Sequence, residues 1–277
     1  MKFTKMHGIG NDYIYVNCFS EQVQNPEEVA RTLSQRRFSV GADGLILICP
    51  SEVADFQMVM YNADGSRGKM CGNGIRCVGK YVYDRGMTDK TTFTVETLGG
   101  IKTLELTIKD GVTDSVRVDM GAPIWTCAEV PVVYDGERML DAPLCVEGKT
   151  WQVSAVSMGN PHLVTFVEDV DSLDLEKIGP GFETHAVFPE RVNTEFIQIL
   201  DRDHLKMRVW ERGSGETWAC GTGACASFVV ANALGHVGNA ATLHLRGGDL
   251  LIELAENGHV LMSGPASFVY DGETLNL

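Results

Sequence analysis

Short segments of alternating or continuously apolar residues predict strands at 2–7, 13–19, 44–49, 55–61, 91–97, 101–108 and 112–120. Turn-forming residues end several of them, as in Asn62-Ala63-Asp64-Gly65. The segment Asn25-Pro26-Glu27-Glu28 carries a cap, a proline and two acids, which predict a helix to about Arg36. A longer helix-compatible run follows Cys71 and ends at Gly86. The first half is therefore predicted to place many short strands around one long helix.

The second half repeats this pattern at a constant offset of 149 residues, since Cys71 corresponds to Cys220 and Gly10-Asn11 to Gly159-Asn160. A constant offset across turns and strands indicates an internal duplication. We therefore predict an α+β fold of two similar, pseudo-symmetric domains, each a mostly antiparallel sheet or barrel around a long central helix. The active site is expected in the cleft between them. The predicted domains are 1–120 with 266–277, and 121–265.

Each predicted long helix begins at a Cys-Gly-X-Gly turn, namely Cys71-Gly72-Asn73-Gly74 and Cys220-Gly221-Thr222-Gly223. At a helix N-terminus the free N–H groups and the positive end of the dipole favour thiolate, so we expect both cysteine pKa values to lie below the usual ~8.5. Two such termini can hold one carboxylate, with the thiols on opposite faces of its α-carbon. One thiolate then removes the α-proton and the other thiol protonates the far face, which inverts the stereocentre.

This scheme needs no cofactor, and pyridoxal phosphate, the usual electron sink for amino acids, is not required. The sequence contains no Walker loop, and its glycine clusters are not Gly-x-Gly-x-x-Gly in a β-α-β setting. The net charge of −14 argues against nucleic acid or an anionic membrane as a partner. There is no signal-peptide core and no run of ~18 apolar residues, so the eight cysteines are interpreted as reduced thiols of a cytoplasmic protein.

Paired cysteines also suggest a zinc site or a redox dithiol. The separations Cys71-x5-Cys77 and Cys220-x4-Cys225, with glycine inside each loop, do not suit paired zinc knuckles, so no metal site is predicted. Oxidation of two activated thiols is interpreted as a side reaction. The non-enzymatic alternative is a thiol-based redox or metal-storage protein. The other cysteines are predicted to be inert core residues: Cys18, Cys49, Cys77, Cys127, Cys145 and Cys225.

Six segments together resemble the diaminopimelate epimerase family over nearly the whole chain: Cys71-Gly72-Asn73-Gly74, Ala219-Cys220-Gly221-Thr222-Gly223, His7-Gly8-Ile9-Gly10-Asn11-Asp12, Asn62-Ala63-Asp64-Gly65, Gly159-Asn160-Pro161-His162 and Trp210-Glu211-Arg212-Gly213. The resemblance implies cofactor-independent interconversion of LL- and meso-2,6-diaminopimelate, in lysine and peptidoglycan precursor biosynthesis. It implies a homodimer, with Tyr270 as a candidate contact.

By the same resemblance, Cys71 and Cys220 are the catalytic pair, and His162 and Glu211 modulate their pKa values. The implied substrate-binding residues are Asn11, Asn62, Gly72, Asn73, Asn160, Asn193, Glu211, Arg212, Gly221 and Thr222. One position departs from the family, because Gly44 stands where some members carry a substrate-contacting glutamine. The alternative within enzymes is a related racemase acting on proline or hydroxyproline. It is disfavoured by Arg212 together with Asn62, Asn160 and Asn193, which suit a substrate charged at both ends.

Overall fold

The computed structural model describes residues 1–275. The chain forms two compact units: Met1–Asp119 with the segment from Ser263 onward, and Met120–Met262. Among the described residues, no helix combines the length and apolar character needed to cross a membrane.

The strands are β1 (Lys2–Gly8), β2 (Asn11–Asn17), β3 (Gly44–Cys49), β4 (Phe56–Asn62), β5 (Arg67–Gly68), β6 (Thr92–Thr97), β7 (Gly100–Lys109), β8 (Val112–Gly121), β9 (Ala142–Val146), β10 (Lys149–Ser157), β11 (Pro161–Phe166), β12 (Asn193–Ile199), β13 (His204–Glu211), β14 (Gly215–Thr217), β15 (Ala240–Leu245), β16 (Gly248–Leu254), β17 (Val260–Gly264) and β18 (Ser267–Glu273). The helices are α1 (Pro26–Leu33), α2 (Gly72–Asp84), α3 (Leu175–Glu183) and α4 (Gly221–Ala233).

The same series of strand pairings occurs in both units. In the first, β1 pairs with β18 and β2, and β2 with β3, while β4 pairs with β3 and β6. The β2–β3 and β4–β6 pairs are parallel and the others antiparallel. In the second, β10 pairs with β9 and β11, followed by β12, β13 and β15, with parallel pairs at β11–β12 and β13–β15. Thus β18, at the end of the chain, fills in the first unit the place of β9 in the second.

The two long helices, α2 and α4, form the centre of their units. Each has 13 residues, ten of them buried, and each begins directly after its cysteine, Cys71 or Cys220. The α4 sequence is apolar on every side, which is typical of a helix enclosed by other elements. Both helices pack against strands of their own unit. These features confirm the predicted α+β class, with two similar units that each contain a long helix among mostly antiparallel strands.

The short helix α1 was predicted less well. It ends at Leu33 rather than near Arg36, because the Leu33 carbonyl accepts a bond from the Gly41 N–H and Arg37 adopts a left-handed conformation (φ 75°). The predicted cap, Asn25, is itself left-handed (φ 51°) and makes no side-chain capping bond. In the second unit α3 begins at Leu175, which is 149 residues after Pro26, as the duplication requires.

Candidate active site

The first half-site consists of Cys71, the first turn of α2 and the side chains around them. Cys71 is extended (φ −129°, ψ 117°) and caps the helix, since its Sγ accepts the N–H of Gly74 at 3.3 Å. The thiol also donates to Asn11 Oδ1 at 3.2 Å, and Asn73 Nδ2 donates to the same oxygen at 3.4 Å. The structure thus brings together three residues that sequence assigned to the site.

Asn11 is held in place by a charged group that sequence analysis missed. Its Nδ2 donates to Asp43 Oδ2 at 2.7 Å, which turns Oδ1 toward Cys71. Arg36 bridges Asp43 and Asp12 at 2.9 and 2.6 Å, and Lys5 contacts Asp12 at 2.5 Å. Burial, followed by the charge of Asp12, raises the pKa of Asp43. Burial alone would raise the pKa of Asp12, but the bonds from Arg36 and Lys5 outweigh it and lower that pKa.

At Gly44 the backbone leaves no room for a side chain. A Cβ there would lie 2.1 Å from the Tyr61 carbonyl oxygen and 2.9 Å from Tyr13 Cε1. The ring of Tyr13, the residue paired with Gly44 across β2 and β3, fills that space. Asn62 ends β4, half-buried, and its amide donates to Ser66 Oγ at 2.9 Å within the following turn. It is therefore held by its own turn.

The second half-site has the same backbone at Cys220. This residue is extended (φ −127°, ψ 106°) and caps α4, with its Sγ accepting the N–H of Gly223 at 3.3 Å and lying 3.6 Å from Thr222 Oγ1. Burial, and then the charges of Glu211 and Glu195, raise the pKa of Cys220 well above its usual value. The predicted lowering was wrong for this cysteine, because desolvation and two carboxylates outweigh the helix terminus.

His162 is completely buried beside Cys220's helix and contacts two polar side chains. Its Nδ1 lies 2.7 Å from Glu195 Oε1, and its Nε2 lies 3.0 Å from Asn160 Oδ1. Glu195, also fully buried, was missed by sequence analysis. The offset of 149 residues pairs Glu195 with Ile46 of the apolar strand β3, and this replacement of an apolar residue by an acidic one is a signal that could have identified it.

Asn193 organises the backbone next to Arg212. Its Nδ2 donates to the Pro161 carbonyl, and its Oδ1 accepts the N–H of Arg212, both at 2.9 Å. The Arg212 side chain is exposed and donates to the Glu190 carbonyl at 2.8 Å. Glu211 accepts a bond from the Thr217 hydroxyl. Arg212 is therefore anchored through its backbone while its guanidinium reaches the surface.

All eight cysteines are free thiols. Cys77, Cys127 and Cys225 are buried, as predicted, but Cys145 is exposed and its assignment to the core was wrong, since it points outward from β9. Cys18 and Cys49 are half-buried. Within residues 1–275, no three His, Cys, Asp or Glu side chains are grouped as a metal site.

Comparison with known proteins gives matches along nearly the full length. The diaminopimelate epimerase family model matches residues 3–126 and 154–269. A diaminopimelate epimerase from Acetivibrio thermocellus is 58% identical over 274 residues, covering 99% of this chain and 98% of that protein. One from Methanococcus maripaludis is 54% identical, covering 99% of each, and one from Bacillus cereus is 53% identical, covering 98% and 96%.

Solved structures share the fold at low sequence identity. A hydroxyproline epimerase from Agrobacterium vitis superposes with a TM-score of 0.72 at 15% identity, covering 98% of this chain and 90% of that one. A probable proline racemase from Agrobacterium radiobacter gives 0.74 at 16%, covering 99% and 93%. These similarities establish the fold alone. The sequence matches establish the family: this chain is an isomerase that belongs to the diaminopimelate epimerases.

Proposed function

We propose that this protein interconverts LL- and meso-2,6-diaminopimelate without a cofactor, with Cys71 and Cys220 as the acid–base pair, in lysine and peptidoglycan precursor biosynthesis. The observation that carries the proposal is the repeated geometry of the two cysteines, each of which caps a 13-residue buried helix and accepts an N–H bond at 3.3 Å. The names of the relatives supply the substrate.

In the proposed reaction, one cysteine thiolate removes the proton from the α-carbon, and the electron pair of the broken C–H bond moves toward the carboxylate. The other cysteine, as a thiol, donates its proton to the opposite face of the carbon. The stereocentre is inverted, and the two cysteines exchange protonation states. The first turn of each helix has N–H groups without intrahelical partners, which suits the charge developing on the carboxylate. The residues in these turns are Gly72, Asn73, Gly221 and Thr222.

Selectivity is assigned to Arg212 and to the amides predicted to bind substrate. Diaminopimelate carries a second carboxylate and a second amine, and a guanidinium can bind a carboxylate through two parallel bonds. Asn193 supports this role because it fixes the backbone of Arg212 while the side chain stays exposed. Asn11, Asn62 and Asn160 complete the polar set. Proline and hydroxyproline lack the distal carboxylate, so Arg212 favours diaminopimelate.

Glu211 and His162 are proposed to set the protonation of Cys220. The charge of Glu211 already contributes to the raised pKa of that thiol. His162 lies in the same buried network, in contact with Asn160 and Glu195.

We further propose that the protein acts in the cytoplasm as a homodimer and that its two units are epimerase domains with the bounds predicted from sequence. Tyr270 on β18 is 45% exposed and its neighbour Val269 is 54% exposed, which gives a strand surface suited to a second copy. Light scattering tests the dimer, because Tyr270→Glu would place a charge on this surface and shift the protein toward a monomer.

The activity is tested by coupling the purified protein to meso-diaminopimelate dehydrogenase. With LL-diaminopimelate as substrate, the coupled enzyme should reduce its nicotinamide cofactor only when this protein is present. L-Proline and hydroxyproline, followed by optical rotation, should remain unchanged. Turnover of proline or hydroxyproline without turnover of diaminopimelate would instead assign the protein to the related racemases.

A further inference from the structure

Glu195 is a buried carboxylate with an incomplete set of partners. It lies in the middle of β12, where its neighbours across the sheet are Val164 and Val209, and it has no exposed surface. Oε1 contacts His162 Nδ1 at 2.7 Å, but Oε2 is buried without a hydrogen-bond partner. Burying a carboxylate that is only partly bonded costs stability. Such a group is more readily explained by function than by packing.

The carboxylate also lies directly against the turn that carries the Cys220 thiol. A Cβ on Gly223 would lie 2.5 Å from Glu195 Oε1 and 3.1 Å from Cys220 Sγ. The N–H of Gly223 donates to the same sulfur at 3.3 Å. One glycine therefore separates the carboxylate from the thiol, and only a residue without a side chain fits between them.

The first half-site has no charge at the corresponding position. Subtracting 149 from 195 gives Ile46, and a Cβ on Gly74 would meet Ile46 Cδ1 at 2.6 Å. By the same offset, the counterpart of His162 in the first unit is Tyr13. Each unit thus has a glycine three residues after the cysteine, with a side chain of a neighbouring strand packed closely against it. That side chain ends in a carboxylate near Cys220 and in a methyl group near Cys71.

We propose that Glu195 is a positioning residue of the second half-site, which fixes the His162 ring with Nδ1 as the donor and holds Cys220 as the proton-bearing thiol of the substrate-free enzyme. This assignment rests on the proposed function for its consequence, which is that Cys220 begins as the proton donor and Cys71 as the proton acceptor.

The titratable groups around Glu195 are consistent with this role. His162 faces it from β11, Cys220 lies at the start of α4, and Glu211 acts on the same thiol from the end of β13. Burial raises the pKa of Cys220, and the negative charges of Glu211 and Glu195 raise it further. Removing the charge of Glu195 while keeping its shape should therefore ease the ionisation of Cys220.

The test is the rate at which iodoacetamide alkylates Cys220 in the substrate-free protein, followed from pH 6 to 10 by mass spectrometry of the Cys220 peptide. The thiolate displaces iodide and forms a thioether, so the rate follows the ionised fraction. In Glu195→Gln the rate near neutral pH should rise about threefold or more, which corresponds to a fall of half a pKa unit. Cys71 in the same sample should keep its wild-type profile.

Two further variants test whether the effect on Cys220 is specific to the carboxylate of Glu195. Glu195→Ile copies the first half-site and should show the same rise, together with a fall in kcat at unchanged KM, because His162 loses its Nδ1 partner. Glu183→Gln, which changes another buried glutamate of the same unit, should leave the Cys220 profile unchanged. An unchanged Cys220 profile in Glu195→Gln and Glu195→Ile would overturn the proposal.

If neither variant folds, the wild-type profile decides, since a Cys220 midpoint at or below the ordinary value of ~8.5 would contradict the proposal. Alkylation needs no diaminopimelate. A failed epimerase assay with a shifted Cys220 profile would therefore reject the proposed substrate and leave the role of Glu195 standing.

Discussion

The two half-sites have the same backbone geometry at the cysteine but differ in the polar and charged side chains around it. In both, a cysteine caps a buried helix and receives the N–H of the glycine three residues later. Cys71 is half-buried and faces the amide oxygen of Asn11, whereas Cys220 is 6% exposed and lies under the influence of two carboxylates. The duplication has kept the backbone of the cysteine cap and changed the side chains around it. The proposed two-thiol mechanism needs such a difference, because in it one thiol gives a proton while the other takes one.

A helix terminus does not by itself determine a cysteine's pKa in this protein. The cap geometry at Cys220 matches that at Cys71, yet burial and the charges of Glu211 and Glu195 raise the Cys220 pKa. Desolvation acts on the charged form of the thiol alone, and in this half-site it exceeds the effect of the dipole.

The largest effect should come from removing either thiol. Cys71→Ser and Cys220→Ser should each lower epimerisation by roughly 10²–10⁴-fold, since a serine hydroxyl is a much weaker acid–base group than a thiol. The coupled dehydrogenase assay measures this. Equal losses would show that the two half-sites are both required despite their different charge. An undiminished rate in either variant would remove the two-thiol mechanism.

The next largest effect is expected at Arg212, which has no basic counterpart in the first half-site, where the offset gives Ala63. Arg212→Met should lower kcat/KM for diaminopimelate by roughly 10–100-fold, because a bound carboxylate loses a charge-assisted partner. The melting temperature should change little, as the side chain is exposed. Arg202→Met, at another exposed arginine, is the control and should behave as wild type. An unchanged kcat/KM for Arg212→Met would mean that another group binds the distal end.

The two glycines beside the thiols, Gly74 and Gly223, should tolerate a methyl group to different degrees. Gly223→Ala forces a methyl group toward Glu195 Oε1, which is fixed by His162 at 2.7 Å, whereas Gly74→Ala meets the terminal methyl of Ile46, which can rotate. Gly223→Ala should therefore cost about 1–3 kcal/mol of unfolding free energy, and Gly74→Ala about 1 kcal/mol less. Urea unfolding of both variants measures the difference. A larger loss for Gly74→Ala would show that Glu195 is not held as described.

The smallest effect concerns acid stability. Burial alone would raise the pKa of Glu216, but bonds and charge from Arg208 and then Arg246 outweigh it and lower that pKa below its usual 4.5. The stabilisation is therefore fully present above about pH 4.5 and is lost as the pH falls through the lower, folded-state pKa. In Glu216→Gln, the unfolding free energy lost as the pH falls below 4.5 should be smaller than in wild type by about 1 kcal/mol. Urea unfolding from pH 3 to 7 measures this difference. The exposed Glu129→Gln is the control. A slope identical to wild type in Glu216→Gln would contradict the prediction.

Local signals predicted much of the fold. The glycines after Cys71 and Cys220 and the apolar runs behind them specify two helices, and the offset of 149 places the second set of strands and α3. The failure at Asn25 arose because a capping sequence does not force the capping conformation. Glu195 and Asp43 were missed because their contacts, with His162 and Asn11, span 33 and 32 residues. No local pattern encodes such contacts.

The proposed assignment of Cys71 and Cys220 to opposite faces of one α-carbon is tested by α-proton exchange in D₂O. Each single-cysteine variant is incubated with LL- or meso-diaminopimelate, and deuterium at the α-carbon is followed by mass spectrometry. A variant with one thiol can remove and return a proton on one face only, so Cys71→Ser and Cys220→Ser should each label one stereoisomer, and not the same one. Labelling of the same stereoisomer by both variants would contradict the assignment of the two thiols to opposite faces.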